Sequence, residues 1–224
     1  GEKLEQARRA AIEAVELLGP EDVVAVVAYD TTVEVLVPAT KLSDKEPVIA
    51  AIRRLESGNT TALFAGVAKG AAEVRKFLDR NRVNRVVLLS DGLANVGPQT
   101  PGELGALGAS LAKEGISVST LGLGNGYNED LMVALARQSD GNHAFIETAA
   151  DLAVIFRKEF GAGLAVVGQE AVVRIVCAEG IRPVRVLGRD ADITGQTAVV
   201  MLNQLYSNHE KYVILEVEVP AAAS

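Results

Sequence analysis

Two stretches of this chain, VVAVVAY at Val23–Tyr29 and RVVLLS at Arg85–Ser90, are apolar at almost every consecutive position. Each is too short for a helix, and neither alternates, so each predicts a strand covered on both faces. A strand with no wet face needs helices above and below it and a neighbour along each edge. That requirement confines the fold to the α/β class, a doubly wound and mostly parallel sheet with helices on both faces.

The segments between these strands carry helical spacing. Leu4, Ala7, Ala11, Ala14, Val15 and Leu18 mark one face of a first helix, with Glu5 and Arg9 paired four apart on the wet side and Gly19 and Pro20 ending it. After VVAVVAY, the turn Asp30, Thr31, Thr32 leads into Val33, Val35 and Val37, which predicts a hairpin onto an edge strand ending at Pro38. Ser43 and Glu46 have the spacing of a capping box for a helix through Leu55, and Leu63, Val67, Ala71, Val74 and Leu78 mark the next helix. Thr100, Pro101 and Glu103 supply an N-cap, a first-turn proline and a capping acid for a helix closed by Gly115. Residues 116–123 read as a strand, Asn128 as the cap of a helix through Gln138, residues 143–147 as a short strand, and Thr148 as the start of a last helix towards Phe160.

From about Glu170 strands succeed one another with no helix between them, at 171–177, 183–187, 197–202 and 212–219. Such a run pairs antiparallel in a unit of its own. The expected division is therefore an α/β domain at 1–160 and a small antiparallel β domain, or part of one, at 161–224. In the last strand Glu216 and Glu218 alternate with Val217 and Val219, which reads as a solvated face.

Composition excludes some partners. A net charge of −7 with no cluster of Lys or Arg argues against a nucleic-acid surface. No apolar run approaches the length of a membrane span, and no secretion or lipidation signal is legible in these residues. Cys177 is the single cysteine, so an internal disulfide framework is excluded, and a buried structural thiol is expected there.

In an open α/β sheet the functional loops lie at the carboxyl ends of the strands. Three loops carry small and oxygen-bearing residues: SGNTT at 57–61, SDG at 90–92 and GLGNGYNED at 122–130. Oxygen donors select hard cations such as magnesium, manganese or calcium. Asp91 before Gly92 also fits a simple turn, and Thr60 and Thr61 also fit an N-cap for the helix near Ala62.

The stretches SGNTTALFAG (57–66), VVLLSDGLANVG (86–97), ISVSTLGLGNGYNEDLMVALA (116–136) and GNHAFIE (141–147), in that order, resemble the von Willebrand factor type A domain, especially its bacterial and inter-alpha-inhibitor-like members. The resemblance covers roughly residues 1–160. It implies a protein-binding module, not an enzyme, with a divalent ion in a metal-ion-dependent adhesion site at the top of the sheet, where a partner's acidic side chain completes the coordination. By this resemblance Thr61 and Asp91 are the metal-site threonine and aspartate, with Thr60, Ser90 and Gly92 as neighbours. A glycine pair in the family's threonine loop stands here as Gly58 and Asn59.

One part of the family pattern is absent. The family's first strand carries an Asp-x-Ser-x-Ser motif; no such motif occurs in these residues, and GEKLEQARRA resembles the helix start just C-terminal to that motif in the family. The expectation is a sheet lacking its middle strand between Val23–Tyr29 and Arg85–Ser90. The sequence would then be a fragment, or take a replacement strand from another segment or chain. The metal site would be incomplete, because Thr61 and Asp91 alone give a divalent ion too few protein ligands for tight binding.

Two rival functions stay open. Gly122, Gly124 and Gly126 invite a nucleotide-binding enzyme, although their spacing is G-x-G-x-G rather than G-x-G-x-x-G. The domain could also serve assembly without metal. His143 and His209, the two histidines, have no nucleophile-elbow context and read as structural or solvated. The sequence leaves the oligomeric state open and favours an extracytoplasmic or cell-envelope setting.

Overall fold

The computed structural model describes residues 2–56, 60–91, 93–148, 151, 154–156, 166–207 and 210–220. The chain divides into two compact units, Gly1–Leu164 and Ala165–Ser224. Gly92, the SGN of the threonine loop, His209 and most of the segment from 149 to Phe160 lie outside the described residues.

The first unit alternates helix and strand as the periodicity requires: α1 (Glu2–Leu17), β1 (Val23–Tyr29), β2 (Val33–Lys41), α2 (Glu46–Arg53), α3 (Leu63–Arg75), β3 (Arg85–Ser90), α4 (Pro101–Lys113), β4 (Ser117–Leu123), α5 (Glu129–Gln138) and β5 (His143–Ile146). β3, β4 and β5 form a parallel sheet with β4 in the middle, whereas β1 and β2 form an antiparallel hairpin. Among the described residues the two sheets share no ladder, so β1 and β3 each keep an edge without a strand neighbour.

Helices cover both faces. Val87 and Leu89 of β3 and Leu121 and Leu123 of β4 pack on Ala7, Ala10 and Ala14 of α1. On the opposite face Val86, Leu88 and Val118 join Leu63, Val67 and Ala71 of α3 with Leu104, Leu111, Leu131 and Leu135 of α4 and α5. Further along, Ala11, Ile12 and Val15 of α1 and Leu18 just after it meet Val24, Val26 and Val37 of the hairpin. α1 thus underlies both sheets, and α3 touches Tyr29 of β1 as well as β3.

Several local expectations need correction. The Ser43–Glu46 box does not form: α2 starts after Lys45 with no side-chain cap, and the Glu46 N–H donates to Asp44 Oδ1 at 3.0 Å. Thr60 and Thr61 do not cap α3, whose N-cap position is Ala62. Pro38 does not end β2; it sits beside a register shift on an edge strand, where a missing N–H costs no ladder bond. Glu5 pairs with Arg8 instead of Arg9. α3 stops at Arg75, before Leu78. The Thr100–Glu103 capping box, the Asn128 cap and the left-handed Gly115 form as expected.

The second unit holds β6 (Val166–Val176), β7 (Arg182–Leu187), β8 (Asp192–Thr194), β9 (Thr197–Tyr206) and β10 (Ile214–Glu218), in sheets ordered β6–β9–β8 and β10–β7. Val186, Val200 and Leu202 form its core. Glu216 and Glu218 are not merely solvated: they pair across the β7–β10 ladder with Arg185 and Arg182. Cys177 is half-buried, short of the full burial expected of it. No helix among the described residues is long and apolar enough to cross a membrane.

Candidate metal-binding edge

The threonine loop and the aspartate loop meet at the carboxyl edge of β3. The Thr61 N–H donates to Asn95 Oδ1 at 2.7 Å, and the Asn95 N–H donates back to the Thr61 carbonyl at 3.2 Å. This two-way clasp ties the segment before α3 to the loop after Asp91.

A second set of bonds ties the same loop to the hairpin turn. The Ala62 N–H donates to the Asp30 carbonyl at 2.8 Å, and the Thr60 and Thr31 hydroxyls lie 2.5 Å apart. The turn is itself locked by the Thr32 N–H on Asp30 Oδ1 at 2.8 Å, which is what an aspartate offers at such a position. Thr60 and Thr61 are half-buried, Ser90 is buried as the last residue of β3, and Asp91 is exposed one position beyond it.

Tyr29 links these groups. Its hydroxyl donates to the Leu89 carbonyl at 2.7 Å. Burial pushes the phenol well above its ordinary value; a hydrogen bond with the Ser90 side chain opposes that shift and the nearby Asp91 charge adds to it. The tyrosine therefore stays neutral and keeps its donor proton.

Of the residues singled out in the sequence, Thr60, Thr61, Ser90 and Asp91 thus fall on one edge, while Gly92 lies outside the described residues. Asn95, Tyr29 and Asp30 are part of the same edge and escape sequence reasoning. Asn95 carries the one available signal, an amide side chain within the oxygen-rich SDGLAN loop. Among the described residues no group of three or more His, Cys, Asp or Glu is placed to hold a metal.

The GLGNG turn is built differently. A side chain at Gly122 would meet the Tyr127 ring at 2.1 Å, so the ring packs directly on that glycine. Asn128 Oδ1 accepts the Leu131 N–H at 3.2 Å, which uses one of the first-turn donors of α5. His143 is enclosed by Thr120 and Tyr127, with Nδ1 2.9 Å from Thr120 Oγ1 and Nε2 3.3 Å from the Tyr127 hydroxyl. Thr120 gives its own proton to the Met132 carbonyl at 3.0 Å, so Nδ1 carries the proton and Nε2 accepts from Tyr127. Burial lowers the His143 pKa, Glu129 opposing and Arg137 assisting, which agrees with a neutral ring.

The family model for the von Willebrand factor type A domain matches residues 1–158. The uncharacterized protein YfbK of Escherichia coli is 28% identical over 159 residues, 70% of this chain and 28% of that protein, so the chain spans under a third of that relative. The solved von Willebrand factor type A structure from Catenulispora acidiphila superposes with a TM-score of 0.74 at 19% identity, over 97% of this chain and 54% of that one. Proximal thread matrix protein 1 of the mussel byssus, solved with a zinc-occupied metal-ion-dependent adhesion site, superposes with a TM-score of 0.56 at 18% identity, over 78% of this chain and 44% of that one. At these identities the structural matches establish the fold.

Proposed function

The chain belongs to the von Willebrand factor type A family, a family of protein-interaction modules, and from that premise we propose that residues 1–160 bind a protein partner through the edge formed by the Thr61 and Asp91 loops. The observation that carries this reading is the Thr61–Asn95 clasp, which holds the threonine loop against the loop after Asp91. Residues 161–224 form a separate small β domain or part of one.

A hard cation suits the donors on this edge in kind, a carboxylate from Asp91 and a hydroxyl from Thr61, with Thr60, Ser90 and Gly92 beside them. It does not suit them in number, because two protein ligands fall well short of a full coordination shell. Bound magnesium, manganese or calcium would supply a directional site for an acidic side chain of the partner.

Calorimetric titration of magnesium and of manganese into the 224-residue chain, with Asp91→Ala as control, tests the metal part. The expected result is weak binding, with Kd on the order of 10⁻⁴–10⁻³ M, that vanishes in the variant. Equal heats in both proteins, or none in the parent chain, would defeat it. In that case the second reading stands, a metal-independent assembly domain. The clasp favours that reading as well, since it orders the edge with hydrogen bonds alone. Chelator would then leave partner binding unchanged.

A further inference from the structure

A second feature stands on the carboxyl edge of the parallel sheet, away from Asp91. Ser90, Gly122 and Phe145 are in register across β3, β4 and β5, so Phe145 lies about 10 Å from Ser90 at the usual strand spacing. Register partners in a parallel ladder turn their side chains to one face of the sheet. Phe145 therefore shares the α5 face with His143, while Ile146 packs on the α1 side.

Tyr127 braces that face. Its ring lies on Gly122, and its hydroxyl is 3.3 Å from His143 Nε2. Phe145 stacks beside it, with ring centroids 6.3 Å apart and planes 21° from parallel. Yet Phe145 stays 45% exposed, whereas Ile146, the next residue of the same strand, is buried. The two rings make a shelf, one ring held by the core and the other leaning on it with open surface.

The charge beside the shelf is of one sign. Glu129 opens α5 two residues after Tyr127, Asp130 follows it, and Glu147 comes two residues after Phe145. All three are exposed, and among the described residues none of them is in an ion pair. The Glu129 charge reaches both Tyr127, whose phenol is pushed up by burial and then by this carboxylate, and His143. Arg137, the cation that also reaches His143, stands in the last turn of α5, about 12 Å along the helix from Glu129.

We propose that this shelf receives an arginine side chain of a protein partner, its guanidinium lying flat on Phe145 with Glu129 and Glu147 as counter-charges. The face of an aromatic ring attracts a cation, and the guanidinium is planar and weakly hydrated, so it stacks where an ammonium cannot. Carboxylates beside the ring accept its N–H groups. An acidic side chain is repelled here, and a purely apolar one leaves the carboxylates without a partner. The shelf thus selects the opposite charge from that expected at a cation held by Thr61 and Asp91, and it does not depend on such a cation.

The test uses the full chain in the presence of chelator, so that the metal reading plays no part. The probe is the peptide acetyl-Gly-Arg-Gly-amide, compared with the same peptide carrying citrulline, which keeps the shape of arginine without its charge. NMR titration should show saturable shift changes at Tyr127, Glu129 and Phe145 with the arginine peptide and much smaller ones with citrulline. Phe145→Ala should weaken binding by about three- to thirtyfold, the range of a cation on a ring, and Phe145→Tyr should keep it, which separates loss of the ring from damage to β5. Glu129→Gln should weaken it by about two- to fivefold, the worth of an exposed charge pair. Shift changes spread over the acidic surface without saturation, equal binding of the citrulline peptide, or undiminished binding by Phe145→Ala overturns the proposal.

Discussion

β1 and β4 invert the usual relation between composition and burial. VVAVVAY of β1 has no charged residue and is half-buried at all seven positions, whereas SVSTLGL of β4 carries two serines and a threonine and is buried at all seven. Among the described residues β4 has strand neighbours on both edges and helices on both faces; β1 has the helices but one neighbour. Burial within the sheet follows position among the described residues. The polar side chains of β4 survive burial because they are satisfied: Thr120 by Met132 and His143, and Ser119 by the Asn142 N–H.

The sharpest way to break this comparison is a matched pair of truncations. Leu121→Ala, in the filled region, should cost about 2–5 kcal/mol of unfolding free energy, as large-to-small changes at fully buried sites do. Val26→Ala in β1 removes less volume from a half-buried position and should cost about 1 kcal/mol. Equal losses in chemical denaturation would show that β1 is as enclosed as β4.

A buried charge helps to anchor the hairpin half. Glu73 of α3 is buried, accepts the Ala39 N–H of β2 at 2.9 Å and pairs with Lys76. Glu73→Ala should cost about 2 kcal/mol, since a hydrogen bond to a charged group is lost and a backbone donor loses its partner. Exchange at Ala39 should rise more than exchange in β4. Uniform loosening would mean that the two halves are held as one body. Lys76, then the Ala39 N–H, holds the Glu73 carboxyl below its ordinary value of 4.5. Its contribution is therefore complete above that value and fades as the pH falls below it, because the unfolded chain there binds more protons.

How far these features can be read from sequence depends on the range of the contacts that make them. Strands apolar on both faces, the Thr100–Glu103 box and the Asn128 cap are local, and they are legible. The Ser43–Glu46 pattern is local as well, but Asp44 lies nearer to the helix start and satisfies the same N–H. β8 spans three residues, too few for alternation to register. The Thr61–Asn95 clasp and the Tyr29–Leu89 bond join residues 34 and 60 positions apart, and no periodicity encodes such pairs. The loops of Thr61 and Asp91 stand out by position and composition but their metal-site roles only through the family resemblance, and Asn95 shows only as an amide in the SDGLAN loop.

The smallest expected effect probes the buried polar network of the filled half. Tyr127, His143, Thr120 and the Met132 carbonyl form a chain of donors running one way, which requires a neutral imidazole. Protonation at Nε2 would turn the acceptor for Tyr127 into a donor and place a charge where burial already disfavours it, with Arg137 adding to the penalty and Glu129 relieving part of it. The folded-state pKa therefore lies below the ordinary 6.5, and the unfolded chain binds more protons as the pH falls through that value. Stability is complete above it and declines below. His143→Asn cannot titrate, so the melting-temperature advantage of the parent chain over this variant should shrink between about pH 7.5 and about pH 5.5. An advantage that stays constant over this range would mean that the imidazole accepts its proton without disturbing the chain of donors. The interior of β4 would then be as yielding as the edge of β1.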